Sequence, residues 1–102
     1  MLSTVHVQVW NNQLAELAQG WASRCWWGHG QLYFDPKRVG FDELGQNIYA
    51  HEDPTMTYLD MVQGWFDEKK DFDYNSASCR AGTVCGHYTQ VSLAYITYHY
   101  AY

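Results

Sequence analysis

The sequence predicts an α+β domain. Two apolar stripes at helical spacing, one beginning at Leu14 and one at Tyr58, supply the helical part. Short runs rich in β-branched and aromatic residues, around Asn47 to Ala50 and after His87, supply the extended part. With 102 residues the chain has material for one domain and not for two.

Composition narrows the function classes. Six Lys and Arg against eleven Asp and Glu give a net charge of −5, which argues against a nucleic-acid binder. Hydrophobic residues make up 47% and charged residues 17%, which argues against intrinsic disorder. No apolar run approaches the roughly 20 residues of a membrane-spanning helix. The segment from Met1 to Val7 lacks the basic start and apolar stretch of a signal peptide.

In chain order, Val5, Val7 and Val9 alternate with Thr4, His6 and Gln8, as in a short half-buried strand. Asn11 and Asn12 then offer N-cap oxygens to free backbone amides. Leu14, Leu17, Ala18, Trp21, Ala22 and Cys25 form the first helical stripe, which would bury the Cys25 thiol. Gly20 weakens this helix by about 1 kcal/mol relative to Ala. Glycines and Pro36 break the run from Trp26 to Gly45, whose aromatic content predicts a packed loop. Asp53-Pro54-Thr55 reads as the start of a second helix, with Tyr58, Met61, Val62 and Trp65 as its stripe, continuing to Phe72. The charge-rich stretch from Asp67 to Asp73 reads as largely exposed. Tyr74 to Gly86 reads as a loop. The residues after His87 permit a strand, or a helical turn at their start.

Few residues carry chemistry by spacing alone. Glu68 sits at the edge of the second stripe, where the commoner arrangement is an exposed carboxylate paired with a neighbouring Lys. His29 lies between Gly28 and Gly30, where an unrestricted backbone lets the imidazole be aimed, and His87 follows Cys85-Gly86, a sharp local constraint. Two His and one Glu are a reasonable zinc ligand set, but no local spacing links histidines 58 positions apart. Cys79 and Cys85 enclose a short loop in which Gly82 can turn. A bridge there would contribute about 2 kcal/mol in the chain-entropy model. No nucleophile elbow or phosphate loop is present, and the adjacent Asp67 and Glu68 point in different directions on a helix.

Four segments in order resemble the CAP superfamily of cysteine-rich secretory proteins, antigen 5 allergens and pathogenesis-related proteins. They are Trp10-Asn11 through Trp21-Ala22-Ser23 with Cys25 and His29, then Gly45-Gln46-Asn47-Ile48, then Trp65-Phe66-Asp67-Glu68, then Cys85-Gly86-His87-Tyr88-Thr89-Gln90-Val91. The resemblance implies an α-β-α sandwich around a cleft lined by two His and two acidic residues. His29, His87 and Glu68 take three of those positions, and are the implied ligands of zinc or another divalent metal. The fourth falls on Gln46, an amide that is neither an anionic ligand nor a base. No catalytic residue or required cofactor is implied.

An extracellular family also implies a Cys79–Cys85 disulfide and an unpaired Cys25. Against the usual domain, residues 1–102 read as a partial one, with a family-like core at about 10–91 and a divergent tail at 92–102. An opening helix and several strands have no counterpart. That arrangement would leave the Leu14/Trp21 and Met61/Trp65 stripes partly uncovered and the domain marginally stable.

Three functions follow from different classes. The first is a secreted non-enzymatic module binding a lipid, sterol or protein ligand, with room for a divalent metal. The second is a metal-dependent hydrolase using His29, His87 and Glu68. The third is a disulfide-stabilised interaction scaffold with a vestigial cleft.

Overall fold

The computed structural model describes residues 9–30, 33–92 and, as backbone, 97–101. The alternation at residues 5–9 falls mostly outside them. The first helix, α1, spans Asn12–Ala22, and Asn11 is its N-cap, accepting the Leu14 N–H at 3.0 Å. Its stripe is buried at Leu14, Ala18 and Trp21.

The helix does not carry the stripe on to Cys25. The Ser23 N–H and hydroxyl both turn back onto the Gln19 carbonyl, and the Arg24 N–H closes a tighter turn onto Trp21. Cys25 then adopts a left-handed φ of 53° and is exposed, so the expected buried thiol is corrected to a surface one. The loop beyond it is only partly packed. Trp26 meets Trp21 edge-on, yet Trp26 and Trp27 are each more than half exposed.

Strand β1 spans Gly45–Tyr49 and pairs in parallel with a strand at Thr97–Ala101, from Gly45 opposite Thr97 to Tyr49 opposite Ala101. A parallel pair needs cover on both faces, and the alternation along β1 provides for it. Ile48 joins Leu14, Ala18 and Trp21 in the core on one face. Asn47 and Tyr49 turn the other way, toward His87 and Trp65. Helix α1 therefore lies on one side and the later helices on the other, an α-β-α arrangement in an α+β fold.

The second helix, α2, spans Tyr58–Asp67. It starts later than Asp53-Pro54-Thr55 because Asp53 caps a separate turn, its carboxylate accepting from the N–H and hydroxyl of Thr55. Thr57 is the true N-cap, in a reciprocal capping box with Asp60. The helix also stops before Phe72. Glu68–Asp71 tighten into a 3-10 turn, and Phe72–Asp73 form β2, antiparallel to β3 at Ser78–Cys79.

Met61 and Trp65 are 3% and 2% exposed, and Leu14 and Trp21 are 6% and 3%. The expected uncovering of these stripes is thus corrected: the strand pair and α3, at Gly86–Ser92, cover them. Tyr58, counted in the second stripe, is instead exposed at the first turn. The run after His87 is helical to Ser92, and residues 97–101 are strand.

Two predictions test these elements. Asn11→Ala should lower stability by about 1 kcal/mol in denaturant unfolding, through loss of the α1 cap. Hydrogen bonds from the backbone and hydroxyl of Thr57 hold the Asp60 carboxyl below the usual carboxylate range. The capping contribution is therefore complete above the unfolded pKa of about 4 and fades as pH falls through the lower folded value. Asp60→Ala should destabilise the protein at neutral pH, and the gap from wild type should close on acidification.

Candidate functional site

An open cleft of about 600 Å³ runs along β1. Ile48 and Tyr49 both line it although their side chains leave opposite faces of the strand, so it follows the strand rather than one face. The two sides of β1 deliver its two histidines.

His29 arrives on the loop after α1. The Trp21 indole N–H donates to the Gly28 carbonyl at 2.9 Å, and the indole ring packs so closely on Gly30 that a Cβ there would collide with it. This places the Gly30 N–H 3.0 Å from Gln46 Oε1. A carbonyl oxygen only accepts, so His29 Nδ1, 2.7 Å from the same atom, carries the proton. In the neutral form of the ring, that proton on Nδ1 leaves the lone pair on Nε2. Gln46 is 7% exposed, and its Nε2 has no acceptor among the described residues.

His87 comes from the other side. The Cys79–Cys85 disulfide ties β3 to the residue preceding α3, and Cys85 is buried. The first N–H groups of a helix lack intrahelical partners. Here the Glu68 carboxylate, seventeen residues before Cys85, supplies them. Its Oε1 accepts from the backbone N–H of His87 at 3.0 Å and of Tyr88 at 3.1 Å, and its Oε2 from His87 Nδ1 at 2.7 Å. Asn47 donates its amide N–H to the His87 carbonyl at 3.1 Å, and Trp65 stacks on the imidazole at 5.9 Å. The expected exposed Glu68 paired with a lysine is therefore corrected: this carboxylate caps a helix and orients a histidine.

His29, Glu68 and His87 all line the cleft, whereas Gln46 lies behind His29 and supports it. Trp27, Tyr49 and Trp65 form aromatic wall, and Gly64 on α2 leaves it open. Sequence reasoning did not single out Asn47 as a support or these aromatics as wall. The strand alternation of Asn47 and Tyr49 was the available signal. Three of the roughly four lone-pair directions of Glu68 are already used. Among the described residues, no three His, Cys, Asp or Glu side chains form a group arranged to hold a metal.

The model of the cysteine-rich secretory protein (CAP) family matches residues 5–98. Venom allergen 5 of Vespa velutina, one of 110 curated proteins that match, is 36% identical over 91 residues. The match covers 86% of this chain and 43% of that relative, so the chain spans under half the relative's length. No solved structure matches significantly.

Substitutions at Glu68 and Gly30 test the site. Glu68→Ala should cost roughly 1.5–3 kcal/mol, as for hydrogen bonds to a charged group. Glu68→Gln should cost less, because its carbonyl oxygen still serves both backbone donors. Its NH2 would then face His87 Nδ1 and move the imidazole proton to Nε2, a tautomer change read by nitrogen-15 NMR. Gly30→Ala should destabilise by about 1–3 kcal/mol through overpacking against Trp21.

Proposed function

The chain belongs to the cysteine-rich secretory protein (CAP) family, and on that premise we propose that it is a secreted, non-enzymatic binding module. Its ligand is a lipid, sterol or protein group with an apolar body, held in the cleft beside β1. The observation that carries this reading is the commitment of Glu68. The carboxylate lining the cleft is engaged by three N–H donors, and the second acidic position of the family pattern is the amide Gln46. The hydrolase weighed above would use Glu68 as general base, and three of that carboxylate's roughly four lone-pair directions are already engaged by α3 and His87. Aromatic walls with a few fixed polar groups suit ligand binding instead.

A short-loop disulfide in a chain of this size fits an oxidising compartment, which supports secretion. The module requires no metal. Among the described residues no three His, Cys, Asp or Glu side chains are grouped to hold a divalent cation, unlike the four-ligand set of a closed zinc site. The ligand and partners of a longer relative come to this chain only as part of this proposal.

A fluorescent sterol titrated into the protein should quench tryptophan emission. Gly64→Leu, which fills the cleft from a position where no described atom outside its own helical segment lies within 4 Å of the new Cβ, should weaken binding at least tenfold, or about 1.4 kcal/mol. Hydrolysis of a simple aryl ester should match buffer for wild type and Glu68→Gln alike. A rate that disappears in Glu68→Gln would instead establish the hydrolase.

A further inference from the structure

We propose that His51 is a pH-sensitive latch on the loop joining β1 to α2, holding that loop when neutral and releasing it when protonated. The inference goes beyond the binding-module reading and does not depend on it. The Asp53 backbone N–H donates to His51 Nδ1 at 2.9 Å. A backbone N–H only donates, so Nδ1 supplies the lone pair and the ring proton sits on Nε2. This bond exists only with a neutral ring. In the imidazolium both nitrogens carry protons, and two donors would face each other across the same gap. His29 and His87 differ, because each donates from Nδ1 to an oxygen, a bond that protonation of Nε2 leaves intact.

The surroundings decide which side of the latch gives way. His51 is exposed and lies flat on Tyr49 of β1, with ring centroids 6.2 Å apart and planes within 8°. A positive charge on the imidazole adds cation–π attraction to that stack, so the ring stays and the turn lets go. The charged groups on this side of the fold are acidic. Glu52 and Asp53 follow His51 in the loop, Asp53 interacts with its charge, and Asp60 at the start of α2 acts on Asp53 in turn. The Asp53 carboxylate is committed to the N–H and hydroxyl of Thr55, so the released partner is its exposed backbone N–H, which passes to water. The Thr57–Asp60 capping box holds the start of α2 independently. Release is therefore confined to the turn between Ala50 and Thr57. Tyr49 and Ala50 line the cleft, which makes this turn part of its rim.

The test is nitrogen-15 NMR of the intact chain between about pH 8 and about pH 5, the range in which histidine ordinarily changes charge. At the upper end, a coupling through the hydrogen bond should join the Asp53 amide nitrogen to an unprotonated His51 Nδ1. On acidification that coupling should vanish with the midpoint of the His51 titration. Protection of the Asp53 amide from hydrogen exchange should fall at least about threefold, while the contacts between the His51 and Tyr49 rings persist. His51→Asn offers a side-chain oxygen that accepts the same N–H in an Asx-turn and does not titrate, so it should keep the protection at both ends of the range. His51→Phe keeps a ring for Tyr49 without an acceptor, and should lack the protection throughout.

A His51 ring protonated on Nδ1 at about pH 8 would overturn the latch. So would a coupling to Asp53 that survives acidification. Protection lost on acidification in His51→Asn would overturn it as well, because another group would then be titrating. Separation of the His51 and Tyr49 rings at about pH 5 would show that the ring moves and not the turn, and would overturn release of the cleft rim.

Discussion

The Glu68 carboxylate is the tie on which the second half of the molecule depends. It sits where α2 gives way to a 3-10 turn, and its two oxygens satisfy the opening N–H groups of α3 and the ring of His87. An anion at a helix start is favoured by the orphan donors and by the helix dipole together. The short hairpin of β2 and β3 and the Cys79–Cys85 disulfide lie between these two ends of the chain. They bring Gly86 back to α2, and the carboxylate closes the loop with charge-assisted hydrogen bonds. One side chain thus joins a helix end, a helix start and a cleft histidine.

The first half solves the matching problem with a neutral group. Gln46 does for His29 what Glu68 does for His87, holding Nδ1 and a backbone N–H with oxygen. An amide carries no charge into a site that is 93% buried, and so avoids the desolvation cost of an ion. The consequence is an NH2 without an acceptor among the described residues, which a carboxylate in its place would not have. The cleft that results is lined, among the described residues, by two imidazoles and a single carboxylate.

Strand β1 distributes these parts. Because successive side chains leave opposite faces, Gln46 and Ile48 serve α1 and the loop carrying His29, while Asn47 and Tyr49 serve α2 and α3. Five residues therefore connect the core, both histidine supports and part of the cleft wall. A one-residue slip in register would exchange every one of these partners.

Much of this was legible in the residues. The stripes at Leu14/Ala18/Trp21 and Met61/Trp65, the N-cap at Asn11 and the extended run at Asn47 follow from local periodicity and capping chemistry, which act within a few residues. The ordered motifs also carried the family and named His29, Gln46, Glu68 and His87. Boundaries set by competing local hydrogen bonds were not legible. Asp53 captured its own turn, and Ser23 ended α1 before Cys25 could be buried. The task of Glu68 was beyond reach for a different reason. On sequence it is a carboxylate near two lysines, and only folding sets it against backbone donors nearly twenty residues away. The sequence by itself determined which side chains could accept a proton or bury a ring. Tertiary structure decided which of them were already satisfied by the protein, because hydrogen-bond partners brought from distant segments leave no periodic trace in the chain.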